Sequence, residues 1–132
     1  MNSLKRIHHI AIICSDYERS KDFYVNKLGL SVIAESYRTE RKSYKLDLSV
    51  GESGQIELFS FENPPERLSH PEARGLRHLA FETEDIEATI ADLNNKGIET
   101  EPIRIDELTN CRFTFFSDPD ELPLELYEIK KI

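Results

Sequence analysis

The chain has 132 residues, 39% of them hydrophobic and 32% charged, which suits a single soluble domain or two very small units and calls for no disulfide or zinc staple. Its 25 acidic against 17 basic side chains give a formal net charge of −8, a field that repels phosphate backbones and anionic lipid, so neither nucleic acid nor membrane is an expected partner. The two cysteines form no CxxC pair, no apolar run approaches the length of a membrane span, and Met1 to Arg6 leads straight into a strand, so a reducing cytoplasm is expected.

In chain order, Arg6–Cys14 (RIHHIAIIC) reads as a short buried strand. Ser15 and Glu18 are spaced as a capping box ahead of a helix over Tyr17–Lys27, where Phe23, Tyr24 and Leu28 supply the apolar stripe and Gly29 the stop. Three strands follow at about Ser31–Tyr37, Ser43–Val50 and Gln55–Phe61, the last two joined by Gly51-Glu52-Ser53-Gly54. Glu62–Gly75 (ENPPERLSHPEARG) is polar, proline-bearing and too long for a tight turn, which marks it as a linker.

The same order then repeats. Leu76–Thr83 (LRHLAFET) reads as a strand, and Asp85 caps a helix over Ile86–Lys96 with Ile86, Ile90 and Leu93 at helical spacing. Gly97 stops that helix, and strands follow at about Ile98–Ile105, Cys111–Phe116 and Leu122–Ile129, the last two joined by Ser117-Asp118-Pro119-Asp120. The chain is thus α+β, two βαβββ modules at about residues 6–61 and 76–130 within one domain over 1–132. His9 and His78 occupy matching places in their first strands, and Glu57 and Glu125 in their last. Histidine to glutamate is 48 residues in one module and 47 in the other.

Strand alternation sets His9 with Ile7, Ala11 and Ile13, opposite the apolar set that floors the helix, and sets His78 with Ala80 and Glu82. Glu57 lies between Ile56 and Leu58, and Glu125 between Leu124 and Leu126, so both carboxylates turn to the histidine side. A carboxylate withdrawn from water costs several kcal/mol unless it is paired or bound to a metal. Two imidazoles and two carboxylates converging there form a site for one divalent ion, and nitrogen and oxygen donors without thiolate admit Ni, Co, Zn, Mn or Fe. His8 falls on the other face and reads as structural, His70 in the linker as exposed, and Cys14 and Cys111 as buried small residues.

With those residues in place the chain resembles the vicinal oxygen chelate superfamily, and within it the glyoxalase I-like branch. HHIAI, DYERSKDFYVNKLGLSV, IELFSF, GLRHLAF and FTFFSDPDELPLELYE carry the resemblance, which runs from about Arg6 to Ile129. It implies the glyoxalase/bleomycin resistance/dioxygenase fold, in which two modules curve into an incomplete barrel around a metal cleft. It also implies His9, Glu57, His78 and Glu125 as metal ligands, of the set found in bacterial glyoxalase I, with nickel, cobalt or zinc ahead of manganese and iron. A homodimer is the implied assembly. The turn before the last strand departs from the family's DPDG by placing Glu121 at the glycine position, and LFSFENPP replaces a TYNWG-like run. A glycine-rich tail is also absent, so glutathione-binding residues do not carry over.

The implied chemistry is proton transfer beside a carbonyl, with an enediolate stabilised at the metal and Glu125 or Glu57 as base, Glu125 preferred. A lyase or isomerase acting on a small α-oxo compound or its thiol adduct is the leading expectation. A thiol transferase that inactivates an antibiotic, an acyl-thioester epimerase and a non-catalytic small-molecule-binding module stand as alternatives. Arg38, Arg41, Lys45, Arg104 and Arg112 are basic residues able to orient an anionic substrate, and none is assigned to the site.

Overall fold

The structure is a computed structural model that describes residues 3–130, so the reading of Met1 and Asn2, and the last two residues of the expected domain, lie outside it. The chain divides into two compact units, Met1–Pro65 and Glu66–Ile132, with the boundary inside the proline-bearing stretch. Each is described by itself.

In the first unit β1 (His9–Cys14) leads into α1 (Tyr17–Lys21), and β2 (Ser31–Arg38), β3 (Ser43–Ser49) and β4 (Gln55–Ser60) follow. The sheet order is β1-β4-β3-β2, with β1 parallel to β4 and the remaining pairs antiparallel. The second unit repeats this with β5 (Leu79–Thr83), α2 (Ile86–Asn95), β6 (Arg104–Ile105), β7 (Arg112–Ser117) and β8 (Pro123–Glu128) in the order β5-β8-β7-β6. Both first strands are shorter than the sequence suggests, and His78 stands one residue ahead of β5.

Apolar alternation builds each core. Ile12, Leu46, Leu48, Ile56 and Leu58 turn inward in the first unit with Phe23 and Tyr24, and Ile86, Leu93, Phe116, Leu124 and Leu126 do so in the second. Burying each such side chain contributes about 1.5–3 kcal/mol.

The helix starts and stops follow local chemistry. The cap of α1 is Asp16 and not Ser15: its φ is extended at −128° and its side chain accepts the Arg19 N–H at 3.2 Å. The expected capping box is therefore displaced by one residue. After Lys21 the helix widens into a π-helical turn over Asp22–Lys27, closed by the Leu28 N–H donating to the Phe23 carbonyl at 2.9 Å. Asp85 caps α2 as expected, accepting from the Ala88 N–H at 3.0 Å. Gly29 and Gly97 take φ of 78° and 82° with open space where a Cβ would sit, so backbone conformation and not crowding demands glycine at both stops.

The expected strand Ile98–Ile105 survives only as Arg104–Ile105. Pro102 has no N–H to give to a ladder, and the approach is held instead by the Glu101 N–H donating to the Phe115 carbonyl at 2.9 Å. Glu121 does occupy the left-handed position of its turn, at φ 65°.

Candidate metal centre

The parallel pairing of β1 with β4 sets Ala11 beside Glu57, and that of β5 with β8 sets Ala80 beside Glu125. Each histidine lies one pleat before its alanine, and a methyl group in between leaves the diagonal open. The imidazole accordingly reaches the carboxylate in both units: His9 Nδ1 is 3.5 Å from Glu57 Oε2, and His78 Nε2 is 3.4 Å from Glu125 Oε1. The neighbours Ile56, Leu58, Leu124 and Leu126 are buried on the opposite face and fix which way the glutamates point.

Glu57 and Glu125 keep only 11% and 12% of their side-chain surface. Carboxylates this dry need charge compensation. Glu57 has Lys45 Nζ at 3.8 Å besides His9, while among the described residues the ion-pair partner of Glu125 is His78. Each pair offers one nitrogen and one oxygen donor set without thiolate, which fits half the shell of a divalent first-row ion. The structure brings His9 to Glu57 and His78 to Glu125. Among the described residues no three His, Cys, Asp or Glu side chains form one cluster.

The two pairs have different walls. Opposite Glu57 on β3 is Asp47, and opposite Phe59 is Lys45, whose ammonium donates to Asp47 at 2.9 and 3.1 Å. The hydrogen bond to Asp47 raises the Lys45 pKa against the cost of burial, with Glu57 assisting and the charge of Arg38 opposing. Opposite Glu125 on β7 is Phe115, whose ring meets His78 edge-on at 5.0 Å and 89°. Lys45 and Asp47 stand beside the first pair and Phe115 beside the second, a difference that matched His–Glu spacing in the sequence does not announce.

His8 is exposed, and its Nδ1 lies 2.9 Å from His9 Nδ1, so one ring donates to the other; its link is to the candidate ligand and not to the core. His70 is exposed as expected. Cys14 is buried with its thiol donating to the Phe59 carbonyl at 3.3 Å, and Cys111 is only half-buried. Arg112 turns to the helix side, where it binds Glu128 and Glu87, and Arg41 is exposed in a short 3₁₀ turn. An open depression of about 480 Å³ lined by Asn94, Gly97, Ile98, Glu99 and Thr100 shares no residue with either pair.

The model of the Glyoxalase/Bleomycin resistance protein/Dioxygenase superfamily matches residues 6–126. YwkD of Bacillus subtilis (strain 168) is 68% identical over 125 residues, covering 95% of this chain and 98% of that protein. The crystal structure of a glyoxalase family protein from Enterococcus faecalis superposes with a TM-score of 0.88 at 55% identity, covering 94% of this chain and 98% of that one. Farther away, the trypanothione-dependent glyoxalase I of Leishmania major superposes with a TM-score of 0.71 at 28% identity, covering 95% and 87%.

Proposed function

The chain belongs to the glyoxalase/bleomycin resistance protein/dioxygenase superfamily, and we propose that it is a divalent-metal-dependent lyase or isomerase acting on a small α-oxo compound or its thiol adduct. The observation that carries this reading is the recurrence of one His–Glu pair, at 3.5 and 3.4 Å, in the same register of two successive βαβββ units. The likeness to a glyoxalase I from Leishmania major supports the reaction class, and the thiol is left unassigned.

On this reading His9, Glu57, His78 and Glu125 hold one ion, with nickel, cobalt or zinc preferred and manganese or iron within reach of the same donors. When bound, the ion supplies Lewis acidity toward neighbouring substrate oxygens and offsets charge that develops there. Glu125 takes the proton from the carbon beside the carbonyl and returns it to the adjacent carbon. Glu57 is the weaker candidate for that duty, because the Lys45 ammonium lies 3.8 Å from its carboxylate and competes with a substrate proton for it. Phe115 and His78 crowd the Glu125 side and keep water from competing for the proton. The working assembly is a homodimer in the cytoplasm, a compartment that suits two cysteines not joined in a disulfide.

The test is proton exchange. Protein loaded with Ni(II), Co(II) or Zn(II) is incubated in D₂O with a 2-oxoaldehyde, with and without a small thiol, and the α-proton is followed by NMR. Loss of that signal, slowed by about a hundredfold or more in Glu125→Gln, is expected. Bound metal without any exchange would overturn the lyase or isomerase reading, and thiol-dependent modification of an antibiotic without exchange would favour a transferase.

A further inference from the structure

Arg38 ends β2 on the same face of the first sheet as Glu57. Register fixes this: Arg38 pairs with Ser43, Ser43 lies one pleat from Lys45, and Lys45 pairs with Phe59, one pleat beyond Glu57. Its guanidinium carbon lies 4.7 Å over the Phe59 ring and 5.8 Å from the Phe61 ring, and its Nη2 donates to the fully buried Ser43 Oγ at 2.9 Å. Two aromatic faces and one hydroxyl thus hold the planar group in a single orientation.

No carboxylate pairs with this guanidinium among the described residues, although acids outnumber bases 25 to 17 in the chain. Its Nε–H is covered from water and meets no acceptor among the described residues. Nearby Lys45 is committed to Asp47, and the charges of Arg38 and Lys45 oppose each other. The second unit shows the same stacking in a satisfied form: Arg104 lies over Phe113 and Phe115 at 5.1 and 5.6 Å, but its Nη2 donates to Glu101 at 3.1 Å. A held, half-buried cation lacking the partner that its counterpart has is a cation prepared for an external anion.

We propose that Arg38, laid over Phe59 and Phe61 and tied to Ser43, is the subsite for a carboxylate or phosphate oxyanion carried by the substrate. This rests on the metal-enzyme reading above, in which His9 and Glu57 belong to the set that holds the ion and so mark where the substrate's carbonyl oxygens are presented. Phe59 follows Glu57 by two strand residues, about 7 Å, so the oxyanion stands a few bonds from the reacting carbonyl. The substrate class is then a small α-oxo or α-hydroxycarbonyl compound with a terminal anion, and not a neutral aldehyde.

The experiment is calorimetric binding to Ni(II)-loaded protein, with metal content measured on the same samples. Two matched pairs of probes are used: 2-oxoglutarate against 2-oxovalerate for a carboxylate, and dihydroxyacetone phosphate against dihydroxyacetone for a phosphate. At least one probe that carries the terminal anion binds tenfold to a hundredfold tighter than its match without it, and the tighter of the two identifies the oxyanion. Arg38→Met erases that preference while metal content stays at the wild-type level, and Arg38→Lys restores part of it. Equal binding within both pairs on metal-loaded protein, or a preference that survives Arg38→Met, overturns the subsite and leaves the metal reading intact. Wild-type protein that takes up no metal sinks the metal reading and this one with it.

Discussion

Glu128 is a buried charge that the fold uses at two places. It is 3% exposed, accepts from Arg112 Nε and Nη2 at 2.9 and 3.0 Å, and accepts the Ile86 N–H at the start of α2 at 3.0 Å. Arg112 first, and that amide second, hold its carboxyl below the usual carboxylate range. The folded-state pKa is depressed, so the stabilisation is present above the ordinary value near 4.3 and is lost as pH falls from there through the depressed one. Glu128→Gln is expected to lower the melting temperature at pH 7 by several degrees and to flatten its fall between pH 5 and 3, both readable by thermal circular dichroism. The opposite slope governs Tyr17, which donates to Glu35 and stacks on Tyr44 at 4.4 Å. Burial, and then Glu35, push its phenol well above the ordinary value near 10, so its contribution is present below that value and lost as pH rises beyond it. Tyr17→Phe is expected to lose less stability than wild type between pH 9 and 11 in urea titrations. Alternation in Leu124-Glu125-Leu126-Tyr127-Glu128 already sets Glu128 with the leucines, which is a legible sign that it needs a buried partner. Choosing Arg112 for it takes the β7–β8 register, and sequence spacing does not supply that.

Elements were legible where a single residue type enforces conformation and were misread where neighbours compete. Gly29, Gly97 and Asp85 each stood where their chemistry predicts, because a left-handed stop or an extended cap admits few residues. At α1, Ser15 and Asp16 are both good caps, and it is Asp16 whose side chain accepts the Arg19 amide. Asp16→Ala is expected to cost about 1 kcal/mol in chemical denaturation, a magnitude typical of a lost cap. β6 was overread because apolar residues on either side of Pro102 imitate a strand whose hydrogen bonds the proline cannot make. The turn before β8 gives the converse case. Asp118 Oδ1 accepts from the Asp120 and Leu122 amides at 2.9 Å, and Glu121 between them takes φ 65°. Replacing a non-glycine residue there relieves left-handed strain at the expense of unfolded-chain entropy, so Glu121→Gly is expected to gain about 0.5–1 kcal/mol with the site unchanged.

For the whole molecule, the His–Glu repeat was legible because strand order and register are copied between the units: Ala11 against Glu57 and Ala80 against Glu125. The divergence of their walls, Lys45 and Asp47 against Phe113 and Phe115, was not, since spacing constrains ligands and leaves neighbours free. That divergence makes the one-ion proposal open to a sharp test. Two separate half-sites would differ in affinity, because Lys45 Nζ competes with a cation for Glu57, whereas among the described residues no lysine or arginine forms an ion pair with Glu125. A single shared ion would feel the loss of either carboxylate. Equilibrium dialysis against Ni(II) is therefore expected to give about one equivalent per chain for wild type. Glu57→Gln and Glu125→Gln are each expected to weaken that binding at least tenfold, with no residual tight fraction. If each pair instead held its own ion, wild type would approach two equivalents, and each variant would keep the ion of the untouched pair at its original affinity.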